Sequence, residues 1–125
     1  MRMILRRMIL AMAALATSLL AADQKPADQK PLPWEKNRLQ IGLSLYRANC
    51  IVCHDIDRPQ SESKKLGPSF YQLFRQPKMP LGGVPPTRDY IKTMIKSGFP
   101  PLMPEFDDKL STKEIDTLLD FLQSK

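Results

Sequence analysis

The chain has 125 residues, a length suited to one domain. Its formal charge of +6 comes without a nucleic-acid-binding motif, so that class is set aside. Two cysteines and one histidine cannot supply the four ligands of a structural zinc site.

The first residues read as a targeting segment. Arg2, Arg6 and Arg7 form a positive n-region, and Met8 to Leu20 is an uncharged apolar run. Ala21 and Ala22 offer small residues near a cut, and Asp23 opens the polar sequence. Residues 1–22 are therefore expected to be a secretory signal peptide, and the mature protein to be periplasmic. The apolar run is shorter than the ~20 residues of a membrane span. An uncleaved anchor is the alternative, and only then would the protein meet a membrane. Three of the six net positive charges lie in this segment, so the rest of the chain carries +3.

Residues 23–34 are polar and punctuated by proline, with Ala22 to Pro26 repeated at once as Ala27 to Pro31. This reads as a flexible leader ahead of a domain at 35–125. A first helix is predicted over 35–49, with Leu39, Leu43 and Tyr46 on one face and Gly42 between them. Residues 55–66 are turn-rich. Gly67-Pro68 makes a turn, and Phe70, Leu73 and Phe74 suggest a short helix. After a loop rich in Pro and Gly, Thr87 caps a predicted helix over 88–96 that Gly98 ends. Tyr90, Ile91, Met94 and Ile95 form its buried face. A second proline-rich loop leads to Ser111 and Glu114, a capping box for the last helix. Ile115, Leu118, Leu119 and Leu122 recur there at helical spacing, joined by Phe121. The expectation is an all-α domain of about four helices with long loops, which a large apolar cofactor would organise.

Cys50-Ile51-Val52-Cys53-His54 points to that cofactor. Cys-x-x-Cys-His is the attachment signature of c-type haem, and it uses every Cys and His in the chain. Two thiols at this spacing reach the two vinyl groups on one porphyrin edge. The adjacent histidine then lies under the ring as an axial ligand. A Cys50–Cys53 disulfide and a thioredoxin-like pair are the alternatives. The latter needs a strand before the motif, where this chain has a predicted helix.

From about Leu39 onward the sequence resembles a class I cytochrome c. Gly42 and Tyr46 match a glycine and an aromatic residue that precede the haem cysteines in the family. Leu118 and Phe121 match their packing partners on the C-terminal helix. The resemblance implies one covalent haem c, with Cys50, Cys53 and His54 binding it. It also implies a Pro68 carbonyl that accepts a hydrogen bond from His54. Arg75 stands one residue early for the family's propionate-binding arginine, so that contact is not assigned.

The sixth iron ligand cannot be a second histidine of this chain. A methionine thioether is the natural candidate, because it favours reduced iron and raises the potential. Met79, Met94 and Met103 follow the haem motif. Met94 lies on an amphipathic helix and reads as core. Met103-Pro104-Glu105-Phe106 resembles the family's Met-Pro-x-Phe ligand loop, so Met103 is expected to be the ligand, with Met79 as runner-up.

The leading functional expectation is an electron carrier, not an enzyme. Its partners would be redox proteins: a periplasmic dehydrogenase as donor, a cytochrome or terminal oxidase as acceptor. Residues 58–96 hold eight basic side chains against Glu62 and Asp89, a sector suited to an acidic partner. Short runs at Tyr90 to Lys92, Ser97 to Phe99 and Met103 to Phe106 resemble cytochrome subunits of p-cresol methylhydroxylase-type flavocytochromes. A haem subunit or dedicated electron acceptor of a periplasmic flavin or quinoprotein dehydrogenase is therefore a second reading. An open iron site, as in a peroxidase or gas-binding protein, is a third.

Overall fold

A computed structural model describes residues 33–80 and 82–125. The expected signal peptide and nearly all of the expected leader lie outside the described residues. Among those described, the domain is helical, with no strand. Its elements are α1 (Pro33–Asn49), a 3₁₀ turn (Leu73–Arg75), α2 (Arg88–Ser97) and α3 (Thr112–Gln123).

Helix α1 begins two residues before the predicted start and takes Pro33 and Trp34 from the expected leader. Proline suits the first helical turn, since its missing N–H would have had no partner there. Gly42 and Tyr46 are its buried residues, and Leu39 and Leu43 are half-buried beside them. This stripe packs on α3, the most apolar helix, whose Ile115, Leu118 and Leu119 are fully buried. A Cβ on Gly42 would lie 2.8 Å from the Thr117 carbonyl oxygen, so glycine permits this crossing. The Tyr46 and Phe121 rings fill the space beside it, with centroids 6.1 Å apart.

Local sequence sets the helix ends. The Thr87 hydroxyl accepts from the Tyr90 N–H at the start of α2, and Gly98 at φ 65° stops it. Ser111 and Glu114 cap α3 reciprocally, and the bonds from Ser111 hold the Glu114 carboxyl below its ordinary pKa. The expected short helix around Phe70 is a single 3₁₀ turn instead. Gln72 has a left-handed backbone, φ 48°, which breaks any helix running through it.

The basic sector and the acidic end of the chain meet across the fold. Arg38 of α1 and Arg88 of α2 both reach Asp120, at 2.6 and 2.9 Å. Lys92 pairs with Asp116 at 2.7 Å and Lys96 with Asp107 at 2.8 Å. Half of the eight basic side chains in that sector are thus engaged in ion pairs, Lys65 with Asp55 being the fourth. Being partly exposed, each pair stabilises modestly, and together they fix the register of the three helices.

Candidate haem site

The last turn of α1 runs straight into the Cys-x-x-Cys-His segment. The Cys50 N–H bonds the Tyr46 carbonyl at 2.8 Å, and the His54 N–H bonds the Cys50 carbonyl at 2.9 Å. Both cysteines are free thiols and half-buried. Burial, aided by Cys53, pushes the Cys50 thiol up to about 11, so it is protonated at neutral pH.

His54 is held on every side but one. Its Nδ1–H donates to the Pro68 carbonyl at 2.7 Å. Its ring stacks on Phe70, with centroids 4.2 Å apart and planes 13° from parallel. A Cβ on Gly67 would stand 2.7 Å from Nδ1, so only glycine fits against this face. Two backbone bonds lace the loops together: Gly67 N–H to the Cys53 carbonyl at 2.8 Å and Phe70 N–H to the Asp55 carbonyl at 2.7 Å. Burial pulls the His54 pKa below its ordinary value, the Pro68 bond opposes this, and Lys65 adds to it. The imidazole is therefore neutral, with Nε2 as the nitrogen left for a metal.

A cleft of about 200 Å³ that widens toward solvent lies beside this ring. Its lining includes Cys50, Cys53, His54 and Pro68, the histidine wall, and Met79, Met94 and Met103, the methionine wall. Ile91, Ile95, Phe106, Leu118 and Leu122 add to its apolar lining, and His54 is its only ionisable lining side chain besides the two thiols and Tyr90. The other concavity, on the outer face of α1 by Ile41 and Leu45, is shallow and carries no ionisable group.

The methionine side is built from stiff loops. Gly98 makes a tight bridge possible in which the Phe99 N–H bonds the Met103 carbonyl at 2.8 Å and the Met103 N–H bonds the Phe99 carbonyl at 2.9 Å. A Cβ on Gly98 would meet the Met103 carbonyl oxygen at 2.6 Å. Met79 is fixed by one bond, from its N–H to the Val84 carbonyl at 2.7 Å. All three methionines line the cleft, so lining alone does not separate them. The bridged loop distinguishes Met103.

These residues fit a haem. A flat, largely apolar ligand needs an apolar slot, and the slot is there. Among the described residues no three His, Cys, Asp or Glu side chains converge as a bare metal ion would require. A single imidazole in the lining suits iron already held by a macrocycle.

A family model described as cytochrome c oxidase, cbb3-type, subunit III matches residues 37–122. The chain belongs to the c-type cytochromes. That family's domain is a class I-like monohaem cytochrome c, and its work is haem-based electron transfer rather than catalysis. No curated protein and no solved structure matches the chain. The matched span covers most of α1, the Cys-x-x-Cys-His segment, α2 and nearly all of α3.

Some residues of the cytochrome site carry no signal in the sequence. Phe70, which stacks on His54, reads there only as part of a short helix. Lys65 reads only as part of the basic sector and Asp55 as part of a turn-rich segment, yet Lys65 bonds the His54 carbonyl and pairs with Asp55. Arg75, near the expected propionate position, is exposed in the 3₁₀ turn.

Proposed function

We propose that the protein is an exported one-electron carrier with one haem c, joined covalently through Cys50 and Cys53. His54 and Met103 are the axial ligands in this reading. When bound, haem c supplies the ferric–ferrous couple. Cys50 and Cys53 would hold it through two thioethers, each formed if an S–H added across a vinyl group of the porphyrin. Pro68 fixes the imidazole tautomer, and the bridged loop presents the Met103 sulfur with little reorganisation as the iron changes charge.

The observation that carries the proposal is an apolar cleft whose lining joins the two thiols and the fixed imidazole with three methionines. The periplasm is the proposed compartment, since the haem motif follows an export-type segment. A periplasmic dehydrogenase is the proposed donor, and a cytochrome or terminal oxidase the acceptor. The description of the matching family as an oxidase subunit supports the latter. A haem subunit of a dehydrogenase complex would use the same site.

The test is the mass of the protein exported from a haem-ligating host. The expected result is the processed chain plus one haem, retained through acid–acetone extraction. A chain with two intact thiols and no haem would contradict it.

A further inference from the structure

We propose that Lys65 is a positioning residue that grips the backbone of the haem-binding segment and raises the reduction potential of the site, with Asp55 opposing it. The inference rests on the reading of His54 as an iron ligand. Its subject is a charge that no motif marks.

Three contacts place Lys65. Its Nζ donates to the His54 carbonyl at 3.1 Å and to the Ile51 carbonyl, and it pairs with the Asp55 carboxylate at 3.2 Å. The two carbonyls belong to the segment that contains both cysteines and the histidine. They come at the end of a helical run, where carbonyls lack partners and a cation is favoured. The Tyr46 hydroxyl donates to the same His54 carbonyl at 2.7 Å. One oxygen of the proposed ligand residue is thus fixed by a neutral donor and a charged one.

The lysine is itself constrained. Its side chain is 27% exposed and that of Asp55 is 17% exposed, so water screens the pair less than it would a surface pair. Asp55 is turned toward the lysine by the Ser63 hydroxyl, which donates to its second oxygen at 2.8 Å. The Ser63 bond and Lys65 together hold the Asp55 carboxyl below its ordinary pKa.

The consequence follows from Coulomb's law. A fixed ammonium behind an iron ligand favours the oxidation state with less positive charge, so Lys65 favours ferrous iron. Asp55 favours ferric iron. Backbone positioning alone has no such sign: loosening the segment from either side would move the potential in one direction.

The experiment compares midpoint potentials of the haem-loaded parent with Lys65→Met, Lys65→Arg and Asp55→Asn. Lys65→Met is expected to shift the equilibrium toward ferric iron by about tenfold, or about 59 mV for a one-electron couple. Lys65→Arg keeps the charge and should stay near the parent. Asp55→Asn should move the potential upward. Shifts of the same sign in Lys65→Met and Asp55→Asn, or none in Lys65→Met, overturn the proposal. Should Lys65→Met fail to mature, Asp55→Asn decides alone: a rise supports the proposal, and a fall or no change overturns it. A haem-loaded parent with unmoved variants defeats only the role of Lys65. A parent without haem defeats the His54 reading as well.

Discussion

The two walls of the cleft are held by different means. On the histidine wall, side chains and carbonyls do the fixing. His54 engages through its N–H, its carbonyl and its ring, with Tyr46, Lys65, Pro68 and Phe70 as partners. On the methionine wall, backbone geometry does it. A left-handed glycine, a short bridge and flanking prolines hold Met103, and no side-chain hydrogen bond is involved. Phe99 and Leu102 in that loop are about half exposed. The first wall resembles a packed core whose parts hold one another, and the second a stiff flap. The proposed electron carrier would use both, with His54 as the fixed ligand and Met103 as the one that returns to its place.

Removing the imidazole, which carries the Pro68 bond, the Phe70 stack and the proposed iron ligation, should have the largest effect. His54→Ala is expected to abolish a stable holoprotein. Circular dichroism of the variant should show most of the helical signal lost. A fully helical, cooperatively melting variant would show that the histidine wall does not depend on its ligand.

The two glycines separate the walls more finely. Gly67→Ala pushes on the His54 ring and the Cys53 carbonyl, so it should destabilise the holoprotein by about 1–3 kcal/mol, the usual penalty of overpacking. Gly98→Ala presses on the backbone of residues 103–105 and places a side chain at positive φ. It should leave the haem attached but yield a high-spin ferric spectrum. Melting curves and spectra of both proteins check this, and the reverse pattern would invert the comparison.

A smaller effect is expected from Tyr46→Phe. The ring stays in its place against Phe121, and Lys65 still serves the His54 carbonyl. The loss should be about 1 kcal/mol, that of one hydrogen bond, read from denaturant melts. A loss several times larger would mean that Lys65 does not share the carbonyl.

How much of this was legible in the sequence follows the same division. Thr87, Gly98 and the Ser111–Glu114 cap act over one turn, so their spacing predicts them. Gly42 and Tyr46 were visible because α1 and α3 carry matched periodic faces. The start of α1 was missed because Pro33 and Trp34 lie on no buried stripe: Trp34 is 63% exposed. The 3₁₀ turn was misjudged because apolar spacing says nothing of the left-handed Gln72. In the site, Cys50, Cys53 and His54 form one local motif, and the Gly-Pro turn is a local signature. Lys65 reaches carbonyls 11 and 14 residues away through a loop without periodicity, so no spacing could announce it. The basic sector reads as a docking surface for an acidic partner, and three of its eight basic side chains pair with acidic residues of α3 and the loop before it.

The central claim is that His54 and Met103 close the two walls on one iron. The most direct measurement is the ferric absorption spectrum and ferrous carbon monoxide binding of Met103→Ala beside Met79→Ala. The account predicts that Met103→Ala loses the weak charge-transfer band of methionine ligation and binds carbon monoxide readily, while Met79→Ala keeps the band and stays closed. Carbon monoxide binding by Met79→Ala, with Met103→Ala unchanged, would contradict it.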